Sequence, residues 1–167
     1  MRIYFNDGSG YASINNIIID DAVIPNTAPT LGGTPADDNA TEDVATAIDL
    51  SAYNVADVDG DTITLTLAVN SGTLASTDGN GTVAGVTIAN SGTASMTLQG
   101  TAANLNTYLN DTSKILYTTA LNGTTTATLT VTPNDGTTDG SADTVSIIIS
   151  AVNDAPGLDA AQSPVLT

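Results

Sequence analysis

The sequence predicts an all-β sandwich with one short helix, and three observations carry that prediction. Runs of roughly four to eight residues alternate apolar and polar side chains, as strands with one buried face must. Clusters of Gly, Asn, Asp and Ser punctuate these runs at short intervals, which is the turn chemistry of an all-β chain. Hydrophobic residues make up 41% of a 167-residue chain, enough to bury the core of one domain.

Taken in chain order, residues 1–25 hold the strand-like stretches "RIYF" and "INNIIIDDAVI", which belong to no evident domain. "TAIDL" sets Ile48 and Leu50 on one face. "TITLTLA" sets Ile63, Leu65 and Leu67 against Thr62, Thr64 and Thr66. "TDGNGT" (Thr77 to Thr82) is a turn signal. "VAGVTIA" and "ASMTLQG" continue the pattern with Val86, Ile88, Met96 and Leu98. "KILYTT", "TATLTVTP" and "DTVSIIISAV" add Leu116, Leu129, Val131, Val145, Ile147 and Ile149. About seven strands of this length describe a sandwich. One segment breaks the period: "TAANLNTYLND" places Leu105, Tyr108 and Leu109 at i, i+3 and i+4 behind Thr101 as N-cap, so a short helix is expected there.

Charge and composition restrict what such a domain can do. There are 18 acidic residues against 2 basic ones, Arg2 and Lys114. Phosphate binding needs a basic footprint, so nucleic acid is not an expected partner, and neither is an anionic membrane surface. No apolar run reaches membrane-spanning length, and "MRIYFNDGSG" lacks the hydrophobic region of a secretory signal. Zero cysteines and zero histidines exclude disulfides, thiolate sites and the commonest metal ligand. Oxygen ligands remain, and those suit hard cations, chiefly calcium. The Thr-, Ser-, Asn- and Asp-rich, Cys-free composition reads as extracellular and bacterial. Four N-x-[ST] sequences begin at Asn39, Asn80, Asn110 and Asn122 and read as incidental in a Thr-rich chain.

"DVDGD" puts Asp57, Asp59 and Asp61 into five residues. Two carboxylates about 5 Å apart repel by about 3 kcal/mol at an effective dielectric near 20, so water, a cation or a catalytic arrangement must compensate. An EF-hand is excluded, because Gly60 comes too early and Ala68 stands where a bidentate Glu belongs. Ligands can instead converge from distant loops at the ends of a sandwich. Glu42, the only Glu, precedes the strand at Ile48; Asp135 ends the strand of Leu129 and Val131; Asn153 and Asp154 close the last strand. The alternative for each is ordinary: Asp and Asn at strand ends make Asx-turns or face solvent, and "NDG" is a common turn. Asp20, Asp21, Asp37, Asp38, Asp139 and Asp143 read as solvated surface.

The two ends of the domain resemble each other. "NTAPTLGG" (Asn26 to Gly33) and "NDAPGLDA" (Asn153 to Ala160) share N-x-A-P, as a tandem array would. Residues 1–25 then read as the tail strand of a preceding module or an exchanged strand, 26–154 as the domain, and 155–167 as the linker and first strand of a following module.

The order N-x-A-P, E, D-x-D, N-D-G and V-N-D-A-P resembles the cadherin-like tandem repeats of large bacterial surface proteins over about Asn26 to Pro156. That resemblance implies a seven-stranded Greek-key, Ig-like sandwich with calcium at the junctions between modules. Asp57 and Asp59, with Asp135, look like the ligands of the N-terminal pole. Asp61 matches the D-x-D-G-D form of bacterial versions, and Asn26 stands in the linker of that pole. Glu42 looks like the acidic ligand of the C-terminal pole, sharing a site with Asn153 and Asp154. Two departures weaken the pattern: Thr27 replaces the linker Asp, and L-D-R-E has no counterpart.

The function expected from this is a calcium-stiffened structural module of an extracellular adhesin or fibre, partnered by neighbouring modules, identical subunits or a cell-surface glycan. A self-assembling filament or surface-layer subunit that donates its N-terminal strand, and a calcium-dependent carbohydrate-binding module, are the alternatives. Catalysis is not expected: a glycosidase acid pair needs a cleft and usually aromatic platforms, and the chain has one Phe and no Trp.

Overall fold

The computed structural model describes residues 4–6, 11–13 and 25–153. Strands β1 (Tyr4–Asn6) and β2 (Tyr11–Ser13) pair antiparallel with each other. Then come β3 (Thr30–Gly32), β4 (Asp38–Thr41), β5 (Thr46–Ala47), β6 (Asn54–Ala56), β7 (Ile63–Val69) and β8 (Thr73–Ser76). Next are β9 (Gly81–Val83), β10 (Val86–Ala89), β11 (Ser95–Gly100) and helix α1 (Ala102–Leu109). The chain continues through β12 (Ile115–Thr118), β13 (Ala127–Asn134) and β14 (Asp143–Ser150). The protein is all-β with one short helix.

A seven-stranded sheet in the order β4-β14-β13-β7-β11-β10-β9 forms one layer. Its pairs are antiparallel except β14 with β4, which run parallel. The three-stranded sheet β5-β12-β8 and the pair β3-β6 supply the rest. The alternation produces this directly. Ile63, Leu65, Leu67 and Val69 of β7 are buried while Thr64, Thr66 and Ala68 between them are half-buried. Their face joins one core with Met96 and Leu98 of β11, Leu129 and Val131 of β13, and Val145 and Ile147 of β14. Ile115 and Tyr117 of β12 and Leu74 of β8 close it from the smaller sheet.

Three details depart from the sequence reading. In β12 the buried residues are Ile115 and Tyr117, and Leu116, read as the inward one, is half-buried, because the short run "KILYTT" fits either phase of the alternation. The strand count exceeds seven, because the β3-β6 pair and the two-residue β5 are too short to leave a periodic signal. Ile149, expected in the core, is half-buried at its margin. It faces Ala40 of the edge strand β4, which is only four residues long and covers little beyond its own length.

Helix α1 forms where its capping predicts: the Thr101 side chain accepts from the Asn104 N–H at 3.3 Å, and Leu105, Tyr108 and Leu109 face the core. The helix also fixes β6. Asn106 Oδ1 accepts the Val55 N–H at 2.7 Å and its Nδ2 donates to the Val55 carbonyl at 2.9 Å. One side chain therefore satisfies both backbone groups that an adjacent strand would otherwise pair. Two residues later the chain reaches Asp57.

Candidate metal centre

The loop between β6 and β7 is organised by Asp57. Its Oδ1 accepts the backbone N–H of Asp59 at 2.9 Å, of Gly60 at 2.8 Å and of Asp61 at 3.3 Å. Curling the chain this tightly around one oxygen requires a left-handed residue, and Gly60 supplies it at φ 78. The curl turns Asp57, Asp59 and Asp61 toward one another, so that one carboxylate oxygen from each lies within 4.8 Å of the others. Oxygens that share one calcium ion at 2.3–2.6 Å lie at most about 5 Å apart, so this group could hold a metal ion. Asp57 is half-buried, Asp59 and Asp61 exposed. The Oδ2 of Asp57 is inaccessible and has no hydrogen-bond partner among the described residues. A buried carboxylate oxygen without a donor is costly, and a cation is one means of satisfying it.

Asp135 reaches the same end of the domain through strand register. Asn134 pairs with Thr64 across β13 and β7, which puts Asp135 beside the start of β7 and hence beside the Asp57–Asp61 loop. Its Oδ1 accepts the N–H groups of Thr137 and Thr138, each at 2.7 Å, and its Oδ2 accepts from Asn26 Nδ2 at 2.8 Å. The neighbouring Thr27 N–H donates to Asp59 Oδ2 at 2.7 Å. Consecutive linker residues thus touch both acidic groups. The sequence groups Asp57 and Asp59 with Asp135. The close triad contains Asp61 instead, and Asp135 joins through Asn26.

The Thr138 N–H, then the Asn26 amide, hold the Asp135 carboxyl below the usual carboxylate range. A depressed folded-state pKa gives stability that is fully present above the unfolded value near 3.9 and is lost as pH falls through the folded value. Asp135→Asn should therefore be less stable than the parent at neutral pH and should lose less on acidification below about pH 4. Urea titrations across that range check this, and parallel pH profiles for the two proteins would contradict it.

At the opposite end, Glu42 is buried at 3% exposure. Its backbone N–H donates to the Ser150 carbonyl at 3.0 Å, and its Oε2 accepts the Val152 N–H at 3.0 Å. The only Glu is thus tied to the chain leaving the last strand. Asn153 comes directly after; Asp154 lies outside the described residues.

Sequence reasoning missed several polar features. Asp37, Asp38 and Asp49 line a cleft of about 230 Å³, but their oxygens are occupied by backbone donors: Asp38 Oδ2 accepts the Asp49 N–H at 2.6 Å, and Asp49 Oδ1 the Ser51 N–H at 2.9 Å. The Tyr53 and Asp143 side chains each hold a buried oxygen without a well-formed hydrogen bond, and burial followed by the Asp143 charge raises the Tyr53 phenol. Lys114, the only basic side chain among the described residues, pairs with Asp78 at 2.9 Å beside a cleft of about 180 Å³. Their contact partners lie up to 109 residues away in sequence, as for Asp37 and Ser146, and no local motif announces such contacts.

Comparison with protein-family models finds no match, and comparison with curated proteins finds none. Among solved structures, a nucleoside hydrolase-related hypothetical protein from Saccharophagus degradans, described as associated with carbohydrate metabolism, matches with a TM-score of 0.38 and 16% identity. The match covers 75% of this chain and 26% of that one, so the chain spans about a quarter of that protein's length. This finding corrects one expectation. The matched protein is described as hydrolase-related, so the exclusion of catalysis drawn from the sequence is not retained. A likeness this distant assigns this chain no activity of its own.

Proposed function

We propose that residues 26–154 form a cadherin-like structural module of an extracellular tandem-repeat adhesin or fibre, made stiff by calcium. The observation that carries the reading is the Asp57–Asp59–Asp61 group, with its buried orphan oxygen, placed where the linker residues Asn26 and Thr27 enter the domain. A calcium ion held there offsets two of the three carboxylate charges and fixes the loop against the linker, so the angle between this module and its predecessor becomes defined. Calcium fits better than other cations: the donors are all oxygen, two of the three are exposed, and calcium tolerates irregular geometry. Glu42 and Asn153 belong to the second pole of the module; Asp154, which the resemblance groups with them, lies outside the described residues.

Calorimetric titration of the metal-free chain with calcium tests this. A dissociation constant of about 10⁻⁴ to 10⁻³ M is expected, the range of extracellular calcium modules. Magnesium giving the same heat and the same affinity would remove the specific-site reading.

A further inference from the structure

The triplet Asn-Gly-Thr occurs twice in the chain, at 80–82 and at 122–124. An asparagine or aspartate followed by glycine is open to attack on its own side chain, because the next backbone nitrogen belongs to a residue with no Cβ to shield it. Six such pairs lie among the described residues, and in five the side chain is held. Asn80 Oδ1 accepts the Ser91 N–H at 2.8 Å, and Gly81 is paired with Ile88 in the β9-β10 ladder. Asp59 accepts the Thr27 N–H, Asp78 pairs with Lys114, Asp135 accepts from Thr137 and Thr138, and Asp139 Oδ1 accepts from Asn134 Nδ2 at 2.7 Å. Asn122 is different. Its side chain is exposed and has no hydrogen bond among the described residues. It stands at φ 53 in the turn that the Gly123 N–H closes onto the Ala120 carbonyl at 2.8 Å. Left-handed backbone suits asparagine better than most residues, so the turn selects the residue type that reacts.

We infer that Asn122 is a site of self-modification, converted to aspartate and isoaspartate through a cyclic imide. The Gly123 nitrogen gives its proton to solvent base and attacks Asn122 Cγ; the N–Cγ bond forms, the Cγ–Nδ2 bond breaks, and ammonia leaves. Water then opens the imide at either carbonyl. Cleavage of the N–Cγ bond gives aspartate on an unchanged main chain, and cleavage at the other carbonyl gives isoaspartate, with the main chain rerouted through Cγ. Water is the only co-reactant. The two Asn-Gly-Thr copies differ in what must open before the nitrogen can attack. At Asn122 it is one turn hydrogen bond in the loop between β12 and β13, and at Asn80 it is the side-chain clamp on Ser91 together with strand pairing. Opening a surface turn costs less free energy than opening a ladder. Either product adds a negative charge to a loop whose Thr119 Oγ1 accepts the Asp43 N–H at 3.1 Å, beside the buried Glu42. Isoaspartate also lengthens the main chain at the residue that sets the turn. The loop joining β12 to β13 therefore changes as the protein ages, while the clamped pairs, Asp59-Gly60 of the acidic loop among them, persist.

The full 167-residue chain, incubated at physiological temperature in neutral and in mildly alkaline buffer, tests this. Peptide mapping by mass spectrometry reads conversion of each amide, and methyl transfer from S-adenosylmethionine by an L-isoaspartyl methyltransferase reads isoaspartate. Asn122 should convert at least about tenfold faster than Asn80, the ratio that about 1.4 kcal/mol of extra opening free energy at Asn80 produces. Conversion should quicken as pH rises, since the attacking nitrogen must lose its proton. In urea strong enough to unfold the chain the two identical triplets lose their different surroundings, and their rates should converge. Asn122→Gly keeps a residue suited to φ 53 and removes the amide, so it should fold as the parent does and lose the early methyl-accepting signal. Equal rates at Asn80 and Asn122 in the folded chain overturn the inference, and so does an Asp-Gly pair that reacts ahead of Asn122. A preference for Asn122 that persists undiminished in urea overturns it as well, because the selectivity would then come from flanking sequence and not from the fold.

Discussion

Leu65→Ala lowers the free energy of unfolding by about 2–5 kcal/mol, the cost of deleting a buried leucine side chain from a core that collapses only partly around the gap. Leu65 is fully buried in the middle of β7, paired with Leu98 of β11 on one side and Pro133 of β13 on the other. Neighbours on both flanks are held by the ladder, so the cavity cannot close by shifting one strand. Domains have only about 5–15 kcal/mol to lose, so this single change removes a large share of the stability. Urea unfolding should show the midpoint falling with its slope unchanged. Thr66→Ala, one residue along and on the other face, should stay within about 0.5 kcal/mol of the parent. Equal losses at 65 and 66 would mean that the alternation does not sort side chains between core and surface.

The same contrast shows why the fold is legible. A period of two residues fixes which side chains are buried without reference to any distant partner, so Ile63, Leu65, Leu67, Leu129, Val131, Val145 and Ile147 can be read from the sequence. The helix is legible for a similar reason, since Thr101, Leu105, Tyr108 and Leu109 all lie within nine residues. Pairing is different. The parallel placement of β4 beside β14 joins residues 38–41 to 147–150, and nothing in either segment specifies the other. The incomplete burial of Ile149 results from that pairing and is hidden with it.

The acidic site divides along the same line. "DVDGD" folds on itself, so the approach of Asp57, Asp59 and Asp61 is a local property that the sequence carries. The role of Asn106, which pins Val55 from 51 residues away, has no sequence signal. Neither does the Thr27 N–H on Asp59. Counting Thr27 as a lost ligand considers only its side chain. Its backbone still serves the site, which explains how the linker stays docked without the acidic residue the family resemblance leads one to expect.

Asp57→Asn costs stability only when calcium is present, and that dependence isolates the role of the ion. Without calcium two effects oppose each other. The substitution removes repulsion from Asp59 and Asp61, which is about 3 kcal/mol per pair at about 5 Å before salt screening reduces it for exposed partners. It also turns three charge-assisted hydrogen bonds, from the N–H groups of Asp59, Gly60 and Asp61, into weaker neutral ones, because an Asn oxygen still accepts but carries no charge. These nearly offset, and in chelator the variant should lie within about 1 kcal/mol of the parent. With calcium at about 100 times its dissociation constant, the parent gains about 2.7 kcal/mol that the variant does not. Parent and variant melting curves, nearly superimposed in chelator, should then separate by several degrees in calcium. Asp57→Ala supplies the control: it removes the acceptor that curls the loop as well as the charge, so it should cost about 1–3 kcal/mol already in chelator and forfeit the calcium gain of about 2.7 kcal/mol in addition. If Asp57→Asn gains as much from calcium as the parent does, calcium acts by general screening of the surplus carboxylates, and the loop is an Asx-organised turn with no resident ion.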